Sequence, residues 1–327
     1  MPGGGGQVGK VLRRGLSTAG HEVLVLSRSA EDPGLRWDGR TLGPWQETID
    51  GCDVVINLAG RRVHCRNGDP YLPEMMTSRT LSTRVIGWAI AAAQSPPKLW
   101  LQASTATIYA HRMDAPNDDL TGRLAGEEPD VPPAWNARVE IGKAWERELD
   151  LARTPNTRKV AMRSAITLSP DKGGAFDIMA KLARRGLLGT AGSGKQFVSW
   201  IHEFDFVRSV DFLIDHDEIS GPVNLAAPDP RPNKEFNRIL REALHAHIGI
   251  PAKGLVLELG GYLADGDSEL VLKSRYVMPT RLLNAGFTFE YPRWELAAKE
   301  LSDRWSAQRG SFWKRLTGRG PALTTKP

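Results

Sequence analysis

The amino-acid sequence predicts an α/β protein built on a doubly wound parallel β-sheet. Its first half alternates between apolar runs, at Val23–Leu26, Val54–Leu58 and Leu99–Leu101, and stretches with helical periodicity, at 8–19, 74–94 and 136–152. Continuous apolar runs suit strands that are covered on both faces, and strand–helix alternation places helices on those faces. A glycine-rich turn at the start of the chain is a third observation that supports the same architecture.

The second half of the chain alternates less regularly. A further strand is expected at Lys159–Ile166, followed by helices at 175–185, 205–215, 233–247 and 294–305. We therefore divide the chain into a sheet domain at 1–168, a smaller C-terminal substrate lobe at 169–305 that partly returns to the core, and a basic, flexible tail at 306–327. Residues 110–135, rich in Asp, Pro and Gly, are interpreted as a long functional loop.

The composition disfavours several classes of function. The chain has 327 residues, of which 41% are hydrophobic and 25% charged, with a net charge of +5. This allows a large core, and the modest basic excess contains no dense block that would indicate a nucleic-acid surface. Cys52 and Cys65 match neither a disulfide framework nor a metal site. Because no apolar run of roughly 18 residues and no signal segment is present, we expect a cytoplasmic protein without a membrane span.

Three glycines, Gly3, Gly6 and Gly9, form a Gly-x-x-Gly-x-x-Gly turn directly before the first predicted helix. In Rossmann-type folds this turn uses glycine because its backbone angles are open only to glycine, and because a side chain would block a dinucleotide pyrophosphate. The helix N-terminus, at Gln7 and Val8, offers free N–H groups to that anion. The motif predicts that Gly3, Gly6, Gln7, Val8 and Gly9 bind a dinucleotide cofactor.

Only Met1 and Pro2 precede this turn, although the turn normally follows the first strand of the sheet. In a doubly wound sheet that strand lies centrally, and without it the neighbouring strands lose their hydrogen-bond partner. The expectation is that the first strand is missing from this chain and that the natural protein starts about six residues upstream with a short apolar strand.

Ser27 and Arg28 directly follow the apolar run at Val23–Leu26. A Rossmann protein that selects NAD places an acidic residue here to bind the ribose 2′-hydroxyl, whereas an arginine suits the 2′-phosphate of NADP. We therefore expect NADP(H) as the cofactor, with NAD less favoured. A solvated surface arginine is the alternative interpretation of Arg28.

Motifs spread over nearly the whole chain point to one family. They are Gly3–Gly9, Ser27-Arg28, Asn57–Gly60, Ser78-Arg79 with Thr83, Ser104–Tyr109, Arg163-Ser164, Gly192–Gly194, Ser199–His202, Gly221–Asn224 and Arg281–Phe287. Together they resemble the atypical extended short-chain dehydrogenases/reductases of the NAD-dependent epimerase/dehydratase type, and within them the epimerase family proteins with a C-terminal domain of unknown function. The resemblance implies NADP(H) between a Rossmann core and a small substrate lobe. It also implies cofactor contacts at Leu58, Ala59, Gly60, Ala103 and Arg163, the last with an ordinary salt bridge as its alternative.

The same resemblance implies a set of catalytic residues from which one member is missing. Active short-chain dehydrogenases use Ser/Thr, Tyr and Lys, in which the tyrosine exchanges a proton and the lysine lowers its pKa. Thr105 matches the Ser/Thr position and Lys143 the lysine, but Val139 stands where the tyrosine is expected. Tyr109 is the tyrosine beside the expected nicotinamide site. Its alternative is a packing role for the ring, and Glu140 is another candidate proton carrier.

Two residues of the second lobe, Trp200 and His202, are assigned to the substrate cleft. For His202 the alternative is a structural role in pinning the loop at Trp200. Asp205 is expected to cap a helix that runs from Phe206 to Ile214.

These observations predict an NADP(H)-binding, oxidoreductase-like enzyme that acts on an unidentified small molecule. It is expected to be a monomer or homodimer, without metal, nucleic-acid or membrane partners. Two alternatives stay open. One is a nucleotide-sugar epimerase or dehydratase, although the missing tyrosine counts against it. The other is a non-catalytic NADP(H)-binding sensor or scaffold, which an intact cofactor loop with an incomplete triad would suit.

Overall fold

The computed structural model describes residues 1–28, 35–61, 71–128, 131–251 and 268–316. The strands in these ranges are β1 (Leu26–Ser27), β2 (Leu35–Arg36), β3 (Val54–Asn57), β4 (Leu99–Thr105), β5 (Asn117–Asp118), β6 (Arg158–Ser164), β7 (Ile166–Leu168), β8 (Phe197–Val198), β9 (Trp200–His202), β10 (Gly221–Leu225), β11 (Arg231–Pro232) and β12 (Val277–Met278). The α-helices are α1 (Gln7–Thr18), α2 (Leu72–Ala92), α3 (Asn136–Leu151), α4 (Ala175–Arg184), α5 (Glu203–Asp215), α6 (Asn233–Ala243), α7 (Ser268–Leu272), α8 (Thr280–Asn284) and α9 (Trp294–Leu316).

A parallel sheet with the strand order β10–β6–β4–β3 forms the centre of the molecule. Helices α2 and α3 cover one face, where they pack on alternate strand residues such as Trp100 and Ala161. Helices α1 and α5 cover the other face, where they meet residues such as Leu101 and Val160. The predicted doubly wound α/β fold is therefore confirmed. Strand β10, at one edge of this sheet, comes from the second half of the chain.

Helical periodicity placed the helices close to where the structure has them, because each buries one apolar face. In α1 this face contains Val11, Leu12 and Leu16, and the helix is followed by Gly20 in the left-handed conformation with φ +98°. The last helix differs from the prediction. It continues to Leu316, so residues 306–316 are helical rather than part of a tail, while 317–327 lie outside the described residues.

The start of the chain occupies the centre of the extended sheet. Met1 O accepts from the Leu26 amide at 3.1 Å and Pro2 O accepts from the Leu58 amide at 2.9 Å, so these residues bridge β1 and β3 as a short piece of strand. A cavity of about 370 Å³ continues from Met1 between the two strands, and its apolar walls include Val23, Leu24, Val54, Val55 and Ile56. The strand predicted at Val23–Leu26 is correspondingly shorter, because pairing begins only at Leu26.

A second core lies in the C-terminal lobe, between α4, α6 and α9. Trp294 stacks on Phe236 with ring centroids 4.1 Å apart and meets Trp200 at 5.0 Å. Leu168, Phe176 and other apolar residues complete this cluster. In the described ranges, no helix combines the length and apolarity needed to cross a membrane.

We predict that five or so apolar residues added before Met1 will stabilise the protein, because an extended segment there fills the cavity and pairs with both β1 and β3. Unpaired buried backbone groups cost about 1–3 kcal/mol each, so a gain of roughly 2 kcal/mol or more in unfolding free energy is expected. Thermal and urea unfolding measure it. A Gly/Ser extension of equal length is the control, and equal stability of the two proteins would refute the prediction.

Candidate functional site

The glycine turn packs against the neighbouring strand ends so closely that side chains are excluded. Gly3 has φ +74°, and a Cβ there would lie 2.7 Å from the backbone N of Ala59. A Cβ on Gly9 would collide with the backbone of Gly4. Gly6 is different, because a Cβ there would meet only Gly3 O, at 3.4 Å, and otherwise open space. The turn therefore presents bare backbone toward solvent at the carboxyl edge of the sheet.

The N-terminus of α1 supplies free donors at this turn. The helix begins at Gln7 after Gly6, which has no capping side chain. Across the described ranges, the amides of Gln7, Val8 and Gly9 have no acceptor. Gly174, directly before α4, contacts the Gln7 side-chain amide. Unpaired N–H groups at the positive end of a helix dipole favour an anion, so the site fits a pyrophosphate.

Two arginines flank Ser27 at the same edge of the sheet. Arg28 directly follows Ser27, and Arg36 is the register partner of Ser27 on the neighbouring strand β2. Both are exposed, and neither has a hydrogen-bond or ion-pair partner among the described residues. Neighbouring strands lie about 4.8 Å apart, which brings the backbone of Arg36 close to that of Ser27. Sequence reasoning found Arg28 but missed Arg36, because a two-residue strand leaves no periodic signal.

The segment after β3 lines the side of the glycine turn. Leu58 and Ala59 are half-buried, and their amides donate to Pro2 O and to the Asn57 side chain, at 2.9 and 3.0 Å. Gly60 is exposed beside the guanidinium of Arg79. Small residues here leave room for a ligand to approach the backbone. Ala103, half-buried in β4, lies at the same edge.

Lys143 lies on α3, the helix that packs against the end of β4. Helix α3 packs on Thr105 at Gly142, where a Cβ would lie 3.3 Å from Thr105 Cγ2. Thr105 Oγ1 accepts from the Thr107 amide at 3.2 Å, and Lys143 Nζ donates to Glu140 Oε1 at 3.1 Å. Val139, at the tyrosine position, has no exposed surface.

Tyr109 lies beneath this edge rather than in it. Its ring is 2% exposed, and its hydroxyl donates to Asn224 Oδ1 at 2.8 Å and accepts from Arg163 Nη1 at 3.0 Å. Burial raises the pKa of the hydroxyl, which opposes its ionisation. The geometry favours the packing alternative for Tyr109.

The structure does not support the predicted contact between Arg163 and the cofactor. Its guanidinium binds both carboxylate oxygens of Glu146, at 2.8 and 2.6 Å, and is 8% exposed. Ser104 Oγ donates to the same carboxylate at 2.5 Å. The donors of Arg163 thus point into the protein, where its charge is neutralised, and the salt-bridge alternative holds.

The structure also contradicts the assignment of Trp200 and His202 to the substrate cleft. Both residues are fully buried inside the second lobe. The Trp200 indole donates to Asp229 O at 2.9 Å. His202 caps α5, with Nδ1 accepting from the Phe204 amide at 3.1 Å while Nε2 meets Glu300 at 2.8 Å. Asp205 lies within α5 and binds the amides of Glu290 and Tyr291, so it is not the cap that was predicted.

Several comparisons relate this chain to known proteins. A model of the NAD dependent epimerase/dehydratase family matches residues 1–130, and a model of a domain of unknown function (DUF1731) matches residues 254–301. Epimerase family protein SDR39U1 of Bos taurus is 30% identical over 306 residues, covering 91% of this chain and 97% of that protein. An epimerase family protein of Staphylococcus epidermidis is 29% identical over 304 residues, covering 92% and 97%. The crystal structure of human epimerase family protein SDR39U1 (isoform 2) with NADPH matches with a TM-score of 0.78 at 29% identity, covering 92% of this chain and 98% of that chain.

We predict that Glu146→Ala will destabilise the protein by about 3 kcal/mol or more, because it leaves the Arg163 charge buried and unpaired. Glu148→Ala is the matched control on the same helix, since Glu148 pairs with the more exposed Arg84. That change should cost less than about 1 kcal/mol. Urea unfolding of both variants measures the difference, and equal losses would argue against a buried structural pair.

Proposed function

The chain belongs to the NAD-dependent epimerase/dehydratase family, and from this premise we propose that it is an NADP(H)-dependent oxidoreductase acting on a small carbonyl or alcohol substrate. Bound NADPH would supply the hydride for such a reaction. The NADPH in the human relative's structure supports this choice of cofactor. The protein's own part is to bind the cofactor, to hold the substrate oxygen, and to exchange a proton with it.

One observation carries the preference for NADP(H): Arg28 and Arg36 lie on either side of Ser27 without an acidic partner among the described residues. The nearest described carboxylate along the chain, Asp38, accepts from the amides of Arg40 and Thr41, so it is committed to its own turn. Two guanidinium groups repel each other unless an anion lies between them. A 2′-phosphate would be that anion, and a 2′-hydroxyl would not.

The remaining contacts follow from the order of the strand ends. The amides of Gln7, Val8 and Gly9 would hold the pyrophosphate, and the Leu58–Gly60 segment would lie along the adenosine ribose. This leaves Thr105 and Lys143 at the nicotinamide end of the site. Lys143 can hold the ribose hydroxyls there, and Thr105 can bind the substrate oxygen.

One observation favours a second function, that of a non-catalytic NADP(H)-binding protein. Val139 cannot exchange a proton, and Tyr109 lies beneath the site. A protein that binds NADPH tightly and reduces no carbonyl compound would support this alternative. Nucleotide-sugar epimerisation is less favoured, because that chemistry normally depends on the Tyr–Lys pair.

We predict that Arg28→Ala and Arg36→Ala each weaken NADPH binding about 10- to 100-fold, or roughly 1.5–3 kcal/mol, because each removes a charged hydrogen bond to the 2′-phosphate. Binding of NADH should change little in either variant. Isothermal titration calorimetry with NADPH, NADH and 2′,5′-ADP measures these affinities. The double variant should lose less than the sum of the single losses if both arginines bind one phosphate.

Arg153→Ala is the matched control, because Arg153 is an exposed arginine just beyond the end of α3. It should leave all three affinities unchanged. Wild-type protein that binds NADH as tightly as NADPH would contradict the cofactor assignment. A loss that is the same for NADPH and NADH in Arg36→Ala would remove Arg36 from the phosphate site while leaving Arg28 in place.

A further inference from the structure

The nicotinamide end of the proposed site needs a proton donor that the family's usual positions do not supply. Val139 has no exposed surface, and the Tyr109 hydroxyl is held between Asn224 and Arg163. Thr105 has a hydroxyl, but an aliphatic hydroxyl is too weak an acid to give up its proton alone. Another titratable group must lie near the end of β4 if a carbonyl compound is reduced there.

Lys273 brings an ammonium group to this place from the other half of the chain. Its Nζ donates to Thr107 O at 2.9 Å, in the turn that directly follows Thr105. Its side chain is 3% exposed, and no carboxylate of the described chain lies within ion-pair distance of Nζ. Lys143 differs, since it forms an ion pair with Glu140.

A buried cluster of charged side chains fixes the position of Lys273. Glu269 has no exposed surface and lies between Arg138 Nε at 3.1 Å and Arg275 Nη2 at 3.6 Å. The Lys273 amide donates to Glu269 O at 3.0 Å, and Arg275 Nε donates to Thr107 Oγ1 at 3.2 Å. The segment on both sides of Lys273 is therefore anchored to α3 and to the Thr105–Thr107 turn.

Burial without a paired carboxylate is unfavourable for an ammonium group and lowers the pKa of Lys273 to about 8. Glu269 and Glu128 face it and favour its charged form, whereas Arg275 and Lys143 oppose that form. His111 also lies near, and its pKa is lowered by burial and by Lys273. A proton donor works best when its pKa is close to the working pH.

Resting on the proposed NADPH-dependent reduction, we propose that Lys273 is the proton donor that takes the place of the missing tyrosine. The carbonyl carbon of the substrate accepts the hydride from NADPH, the C–O π bond breaks, and its electron pair moves to the oxygen. That oxygen takes one proton from the Lys273 ammonium group, which leaves an alcohol and a neutral amine. Solvent then returns a proton to the amine.

The first test needs no substrate. Biosynthetic 13Cε-lysine labelling gives one NMR signal for each lysine, and Lys273→Met identifies the signal of Lys273 by its loss. We expect this signal to titrate near pH 8. Lys299 is the control, because it is exposed and its pKa is raised by Asp303. Titration of Lys273 above pH 10 would overturn the proposal.

The second test uses NADPH oxidation with a panel of small aldehydes, ketones and quinones. Lys273→Met should lower kcat at least about 100-fold, the usual size of a lost proton-transfer contribution. Lys273→Arg keeps the positive charge and the donor to Thr107 O but cannot release a proton, so its kcat should stay equally low. Wild-type kcat should fall as Lys273 loses its proton above pH 8. Lys299→Met should match the wild type.

A structural role predicts a different result: Lys273→Arg would restore kcat and thermal stability together. That outcome, or full activity of Lys273→Met, would refute the proposal. NADPH affinity, measured by calorimetry, should be unchanged in all three variants. Wild-type protein that does not bind NADPH would refute the proposed function itself. Wild-type protein that binds NADPH and reduces nothing in the panel would refute the role of Lys273 and leave cofactor binding intact.

Discussion

The buried ion pair between Arg163 and Glu146 is the interaction on which the proposed catalytic end of the site depends. Glu146 lies on α3, Arg163 is the penultimate residue of β6, and Ser104 of β4 donates to the same carboxylate. Through the Tyr109 hydroxyl the network also reaches Asn224 on β10. One cluster therefore joins a helix to three strand ends. Since α3 also carries Val139 and Lys143, the position of the catalytic end relative to the sheet follows from this cluster.

A buried ion pair is a poor source of stability, because taking two charges out of water costs about as much as their attraction returns. Its value here is geometric. The bidentate contact of Arg163 with Glu146, with Ser104 as a third partner, allows one register.

A second set of charges connects the cofactor helix to the C-terminal lobe. Arg14 on α1 pairs with Asp171 and with Glu203 of α5, and Glu203 also pairs with Arg304 of α9. Helices α1 and α5 also touch directly, at Gly15 and Val207. Helix α1, whose N-terminus would hold the pyrophosphate, is thus bound to residues near both ends of the C-terminal lobe. Lys273, from the same half of the chain, reaches the Thr105–Thr107 turn.

The part of the proposed site that the sequence predicts is the part that depends on residues close together in the chain. Gly3, Gly6 and Gly9 are recognisable because a tight turn and a close approach require glycine whatever the rest of the chain does, and helix periodicity repeats within one element. The parts it missed depend on residues far apart in the chain. The sequence suggests a cleft position for His202, because nothing near it along the chain shows that Glu300 and Tyr291 close over it. Arg163 looked available because Glu146 comes from another element. Lys273 lies 166 residues from Thr107, so no local pattern relates them. The cofactor half of such a protein can therefore be inferred from backbone requirements alone, whereas its proton chemistry is set by long-range packing and must be read from the fold.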